Sequence, residues 1–283
     1  MRKFGWGLCF LILFTSCENK KSKIDPFAAI TNMVDSATQD TDTVASPVME
    51  DKTPKPIEAD ESFDDFIFNY ASNDALQRQR TKFPLPYYNG DTPSKIDEKY
   101  WKHDYLFSKQ NFYTLLFDNE KDMDLVGDTS LKSVQVEWLF LKTKMVKKYY
   151  FEKVKGAWML EAINLRPIEK GENESFAEFY LKFATDSLFQ SKRIANPLRF
   201  VTIDPDDEFS ILETTLGIEQ WYAFRPPMPT DKLSNVNYGQ QNKDSSNTKI
   251  LKINGIENGY SNVFYFRRKE GQWELYKYED TSI

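Results

Sequence analysis

"ESFDDFIFNYASNDALQRQR" occupies residues 61–80, and "ESFAEFYLKFATDSLFQSKR" occupies residues 174–193. With Glu61 aligned on Glu174, nine of the first 25 positions are identical: Glu, Ser, Phe, Phe, Ala, Gln, Arg, Pro and Leu. Phe63, Phe66, Ile67 and Tyr70 follow the i, i+3, i+4, i+7 spacing of one helix face, and Phe176, Phe179, Tyr180 and Phe183 repeat it. Ser62 and Ser175 are N-cap candidates, Glu178 completes a capping box with Ser175, and Asp65 is its shorter stand-in. Each copy then runs through a polar break into a second short helix and "Q-x-x-R-x-x-x-P-L".

The ends of the two halves also match. "YYFEKVKGAWML" (residues 149–160) pairs with "FYFRRKEGQWEL" (residues 264–275), so that Tyr150, Phe151, Gly156, Trp158 and Leu160 fall on Tyr265, Phe266, Gly271, Trp273 and Leu275. Each reads as strand, tight glycine turn, strand, and each follows a further strand beginning at Ser133 or Thr248. The chain is therefore expected to hold two copies of one α+β unit, at 61–167 and 174–283, with helices first and an antiparallel meander last. The repeat is too long for a solenoid.

Composition narrows the chemistry. Of 283 residues 15% are aromatic, which points to filled cores or apolar pockets rather than disorder. The net charge of −6 comes without a basic block, so nucleic acid is not an expected partner. The two cysteines, Cys9 and Cys17, both lie near the start, and His103 is the single histidine. No disulfide framework, zinc site or cysteine nucleophile is expected in the body of the chain, nor any metal or cofactor.

"MRKFGWGLCFLILFTSC" has the basic start and short apolar run of a secretory signal over residues 1–16. Its "LFTSC" ending resembles the bacterial lipobox, with Phe14 where leucine is usual. The resemblance implies that Cys17 is diacylated and becomes the new N-terminus, making the membrane a partner. Glu18 in the next position and the basic "ENKKSK" imply the outer membrane, facing the periplasm. Residues 17–60 then read as the lipidated cysteine and a disordered tether, rich in Asp, Thr, Ser, Pro and Lys.

The leading amphipathic helix and the terminal "F-x-x-x-x-G-x-W-x-L" hairpin of each half resemble the nuclear transport factor 2-like fold, also called the ketosteroid-isomerase-like or cystatin-like cone. Taken with "Q-x-x-R-x-x-F-P-L-P", "WKHDYLF" and the C-terminal "YFRRKEGQWELYKYEDTSI", residues 61–283 resemble Gram-negative lipoproteins that carry two such domains in tandem. That resemblance implies a fold, α+β with N-terminal helices packed on a curved antiparallel sheet, and a location. It implies no reaction.

Cones of this kind can hold an apolar ligand, and their enzyme members pair a carboxylate base with tyrosine or protonated-carboxyl donors. Candidate pocket residues are Trp101, His103 and Tyr105 in "WKHDYLF", together with Trp138 and Trp221. Asp104 adjoins His103, but adjacent side chains on a regular element diverge and make no relay. Arg80 and Arg193 recur in both copies, as pocket-lining cations or as forks that tie the second helix to a neighbouring loop. "DNEKDMDL" (residues 118–125) spaces its acids like a calcium loop but has Met123 where glycine is required, so it reads as a solvated loop. "DPDDE" (residues 204–208) reads as a helix start. The Pro/Asn/Ser-rich stretch 224–247 is the expected partner-binding insertion. Two functions remain: a non-catalytic envelope lipoprotein binding a small apolar ligand or an envelope protein through its cones, or an isomerase- or dehydratase-type enzyme with its site in one cone.

Overall fold

The computed structural model describes residues 54–168, 175–240 and 246–283. The expected signal segment, Cys17, the tether up to residue 53 and the junction at 169–174 lie outside the described residues. Folded structure starts before the boundary expected at residue 61. A 3-10 turn over Glu58–Asp60 carries the buried Asp60. From there to the C-terminus the chain is one compact unit.

The helices form where the apolar stripes are. α1 (Phe63–Ser72) is capped by Ser62, whose hydroxyl accepts from Asp65 N–H at 3.1 Å and donates to the Asp65 carboxylate at 2.8 Å. α2 (Asp74–Gln79) follows directly, capped by Asn73. Then come β1 (Leu85–Asn89), β2 (Thr92–Ile96), β3 (Phe112–Phe117), β4 (Ser133–Phe140), β5 (Met145–Val154) and β6 (Ala157–Pro167). The second half has α3 (Phe176–Thr185), α4 (Ser187–Ser191), β7 (Ile194–Asp204), β8 (Asp207–Leu216), α5 (Ile218–Phe224), β9 (Lys232–Asn237), β10 (Thr248–Gly255), β11 (Ser261–Lys269) and β12 (Gln272–Asp280). The capping box expected at α3 does not form. Ser175 makes no side-chain cap, and Glu178 reaches Lys144 Nζ instead, at 2.5 Å.

The duplication extends to fine geometry. Both terminal hairpins turn on two residues of positive φ, Lys155–Gly156 (51° and 87°) and Glu270–Gly271 (52° and 76°), the twist that two-residue hairpin loops require. Both carry a bulge at the same place, after Tyr150 and after Tyr265. A bulge bends its strand and sharpens the twist, which curves each sheet around its helices. In the first half the Trp158 ring meets Phe63 edge-on at 5.0 Å, and in the second Trp273 meets Phe176 at 5.4 Å. Both tryptophans are buried. Each sheet is antiparallel apart from one pairing, β1 with β6 and β7 with β12, which are parallel. The intervening strands give each parallel pair a connection long enough for the crossover that parallel pairing needs.

The sheets are not assembled half by half. Their orders are β2-β1-β6-β5-β4-β9 and β3-β10-β11-β12-β7-β8, so β3 and β9 have changed places. β3 pairs with β10 and β9 pairs with β4, each at the end of the other half's sheet. Where they cross, Thr114 N–H donates to Ser234 Oγ (2.7 Å), Thr114 Oγ1 donates to the Ser234 carbonyl (2.6 Å), and Leu116 N–H donates to Asn235 Oδ1 (2.8 Å). Asn235 Nδ2 donates to Glu137 (2.9 Å), which also pairs with Lys148 (2.8 Å). Leu115 and Phe117 lie in the first core and Leu116 in the second, while Val236 lies in the first and Leu233 in the second. Each exchanged strand thus belongs to both cores.

Two local expectations change. The stretch 224–247 supplies β9, so its described partner is the chain's own first half; residues 241–245 lie outside the described residues. "DPDDE" is the β7–β8 turn rather than a helix start, with Asp204 Oδ1 accepting from Asp206 N–H. His103 closes a helix end: its Nε2 lies 2.9 Å from the Ala71 carbonyl, one of the open acceptors of α1. Among the described residues, no helix is long and apolar enough to cross a membrane.

Candidate functional site

The first half carries an ionisable cluster built around Gln77. This fully buried amide uses its hydrogen-bonding capacity completely. Nε2 donates to the carbonyls of Tyr70 (3.1 Å) and Asp104 (2.8 Å), and Oε1 accepts from Trp101 Nε1 (3.0 Å) and Asp104 N–H (2.8 Å). The amide therefore staples the 101–104 segment to both helices and aims Asp104 at β5. Lys147 and Tyr149 stand two apart on that strand and so share a face. Asp104 Oδ2 accepts from Tyr149 OH at 2.5 Å and from Lys147 Nζ at 3.3 Å, and Oδ1 accepts from Leu106 N–H at 3.1 Å. Beneath them Thr81 Oγ1 donates to the Gln77 carbonyl, which leaves Tyr70 OH to donate to Thr81 at 2.8 Å.

The electrostatics follow from this wiring. Burial pushes the Asp104 carboxyl up, but the Lys147 ammonium, the Tyr149 hydroxyl and Leu106 N–H together hold it below the ordinary aspartate value. Burial and then the Asp104 charge hold the Tyr149 phenol well above its ordinary value. Burial likewise raises Tyr70. Asp104 is thus a fixed carboxylate and Tyr149 a fixed donor. A general base at neutral pH needs the opposite shift, because a carboxylate made more acidic is a weaker proton acceptor.

The second half repeats the staple without the carboxylate. Gln190 Nε2 donates to the Phe183 carbonyl (2.8 Å), and Gln190 Oε1 accepts from Trp221 Nε1 (3.0 Å) and from Arg225 Nη1 (2.9 Å). Phe183 and Phe264 stand where the first half has Tyr70 and Tyr149. Trp221, Phe200 and Phe264 all pack on Tyr278, which donates to Asn262.

The residues singled out in the sequence distribute as follows. Trp101 and Trp221 are buried and hydrogen-bonded to the two glutamines. Trp138 is buried on β4 beneath Lys232, whose ammonium lies 4.1 Å from the ring centre. Tyr105 is exposed; its ring lies 4.2 Å from that of His103 and 3.3 Å below the Lys109 ammonium. Arg80 is fully buried, and its Nη2 donates to Asp60 Oδ2 (2.8 Å) and to the Lys55 carbonyl (3.0 Å). Arg193 Nη1 donates to the Trp273 carbonyl (3.0 Å), with its guanidinium over the Phe189 ring. Arg80 thus ties the end of α2 to the segment before α1 through one nitrogen, and Arg193 ties the end of α4 to β12. In "DNEKDMDL", Asn119 caps a 3-10 turn and Asp118 pairs with Lys249. Among the described residues, no group of three or more His, Cys, Asp or Glu is placed to hold a metal ion. A cleft of about 260 Å³, lined by Leu141, Met145, Pro167, Ile168 and Ala177 among others, lies between the β4–β5 turn and the start of α3, outside both cones. Sequence reasoning missed Gln77, Tyr149 and Lys147 as partners of Asp104. The available signal was the difference between copies, tyrosine against phenylalanine at 70/183 and 149/264.

Residues 41–280 match the family model described as "Domain of unknown function (DUF4348)". The chain belongs to that family. The crystal structure of an NTF2-like protein from Bacteroides fragilis NCTC 9343 is similar to it, with 73% identity and a TM-score of 0.78. The match covers 81% of this chain and all of that one. No curated protein matches. The fold is thus NTF2-like, an α+β chain with two six-stranded sheets.

Proposed function

We propose that this member of the DUF4348 family is a non-catalytic lipoprotein of the cell envelope. In this reading Cys17 is acylated at the outer membrane and the folded region binds another envelope protein at the mouth of its first cone. The observation that carries it is the state of the cones. Trp101, Trp158, Trp221 and Trp273 fill the two cores as mutual packing, so an apolar small ligand would have to displace them. What faces outward at the first mouth is the partly buried Asp104–Lys147 pair, in the same stretch as the exposed Tyr100 and Tyr105. Exposed aromatic residues are what protein interfaces favour, with charged pairs such as this one placed at the rim. The enzyme reading is weakened by the direction in which Asp104 is held.

The anchor is tested by replacing Cys17→Ser and fractionating cells. The wild-type chain is expected with the membranes and the variant in the soluble fraction, and equal partitioning would refute the anchor. Native mass spectrometry of the purified chain tests the occupant. A stoichiometric apolar small molecule retained by the protein would refute the protein-partner reading.

A further inference from the structure

The contacts that join the two halves are not shared evenly between them. Matching Phe151 to Phe266 along the terminal hairpins places Leu139, Leu141 and Thr143 of the first half at Asn254, Ile256 and Asn258 of the second. The exchanged strands match likewise, so that Asp231 and Leu233 stand where the first half has Asn111 and Tyr113. One backbone bond is made in both directions: Ile256 N–H donates to the Asn111 carbonyl (2.9 Å), and Leu141 N–H donates to the Asp231 carbonyl (3.0 Å). Three side-chain bonds have no counterpart. Asn254 Nδ2 donates to Tyr113 OH (3.0 Å), Asn258 Nδ2 to the Asn111 carbonyl (2.8 Å), and Tyr238 OH to Asp64 Oδ1 (2.6 Å). In the other direction Leu139, Leu233 and Ala177 carry no group for such bonds, and Thr143 is exposed. The ion pairs Lys142–Asp231 and Lys144–Glu178 also cross between the halves, but both are largely exposed, where such pairs contribute little.

All three bonds end on α1 or on the segment that leads from the first mouth into β3. Tyr113 stacks on Phe107, with ring centres 5.5 Å apart, and both rings meet Phe68 of α1 edge-on, at 5.6 and 5.1 Å. Phe107 is buried and lies three residues after Asp104. Between and beyond them the chain turns tightly. Leu106 N–H donates to Asp104 Oδ1 (3.1 Å), Ser108 N–H to the Tyr105 carbonyl (2.9 Å) and Gln110 N–H to the Phe107 carbonyl (2.9 Å). Leu106 stands at a φ of 45°, a left-handed conformation that a leucine keeps only where its surroundings hold it. Gln77 fixes the front of this turn at Trp101 and Asp104, and Phe107 with Tyr113 fixes its back.

We propose that the two copies divide the work: the first mouth does the binding, and the second half sets the shape of that mouth through Asn254, Asn258 and Tyr238. Asn254 and Asn258 are positioning residues, acting through Tyr113 and Phe107 on the turn that carries Asp104. A binding surface keeps its geometry only when a supporting layer locks the side chains that form it. The division also accounts for what the second half lacks. With Phe183 and Phe264 in place of Tyr70 and Tyr149, it has no counterpart of the Tyr149–Asp104 bond and keeps only a packed core. This inference rests on the reading of the first mouth as the binding face, but its test needs no partner and so fails or holds separately from that reading.

The test gives the full chain the residues of the other copy at the two positions, Asn254→Leu/Asn258→Thr. Amide hydrogen exchange at Leu106, Ser108 and Gln110 should quicken about tenfold, the effect of losing one hydrogen bond's local protection, while Phe179, Phe183 and Phe266 in the second core keep their wild-type rates. Carbon-13 NMR of the Asp104 carboxyl should show its titration midpoint, held below the ordinary aspartate value in the wild type, moving up toward that value. Tyr113→Phe keeps the ring and drops only the hydroxyl that Asn254 holds. It should loosen the same amides by about threefold, and it decides the matter alone if the double variant does not fold. Unchanged exchange at the turn, or an unchanged Asp104 midpoint, would overturn the proposal. So would exchange that quickens equally in both halves, since the contacts would then hold the fold as a whole rather than the mouth.

Discussion

Replacing Asp60 with alanine should be among the most damaging single changes to the folded region, although Asp60 lies ahead of the repeat. Its carboxylate is buried and accepts three bonds: from Arg80 Nη2 at 2.8 Å, from Ile57 N–H at 2.8 Å and from Trp158 N–H at 2.9 Å. It ties the segment before α1 to the end of α2 and to the tryptophan strand at once. Removing it leaves the fully buried Arg80 guanidinium without a counter-charge. Breaking one side of a buried ion pair costs about 3–5 kcal/mol. The stripped Ile57 and Trp158 amides add to that, at about 1–3 kcal/mol for a group that stays dry. Against a total stability on the order of 5–15 kcal/mol, Asp60→Ala should leave the protein marginal.

The assay is urea unfolding of the full chain followed by tryptophan fluorescence. Arg80→Met should be comparably costly, because it strands the carboxylate. The double variant Asp60→Ala/Arg80→Met should recover part of the loss, since removing both charges removes the desolvation penalty of each. A single Asp60→Ala loss below about 1 kcal/mol would show that water reaches the pair and that Arg80 is not a structural fork. A double variant no better than the sum of the singles would show that the two do not act as a unit.

Trp158→Ala and Trp273→Ala should each cost about 3–5 kcal/mol in the same assay, since both rings are buried against the first phenylalanine of a helix stripe; losses near 1 kcal/mol would instead indicate walls of a cavity. The held-down carboxyl of Asp104 makes a pH prediction. Its folded pKa lies below the unfolded value of about 3.9, so its contribution is complete above that pH and is lost as pH falls through the folded value. The stability gap between wild type and Asp104→Asn should be constant at neutral pH and close below about pH 4; a gap that widens on acidification would mean the carboxyl is held above its ordinary value instead.

How much of this was legible in the chain depended on whether the signal was local. The helix stripes, the Gly156 and Gly271 turns and the buried Trp158 and Trp273 could be read because each rests on residues a few positions apart, written twice. The exchange of β3 and β9 could not. "KLSNVN" looks like a polar loop because Ser234 and Asn235 satisfy groups of β3 and β4, residues about a hundred positions earlier. "FYTLLF" lacks clean alternation because both its faces are buried, one in each core. Asp60 was read as the last residue of a tether, since nothing nearby in sequence announces its partner Arg80.

The candidate site was hidden by the same repetition that revealed the fold. Matching the halves emphasised what they share, and shared residues such as Gln77/Gln190, Arg80/Arg193 and Trp158/Trp273 carry structure. The polar cluster lies where the halves disagree. Tyr70 against Phe183 and Tyr149 against Phe264 add two hydroxyls to the first core, and Asp104 N–H takes the place at Gln77 that Arg225 takes at Gln190. Two hydroxyls buried without partners would each cost a few kcal/mol. The first half offsets this with Thr81 for Tyr70 and Asp104 for Tyr149. In a duplicated chain the common residues identify the scaffold, and the compensated differences are where function is to be sought first.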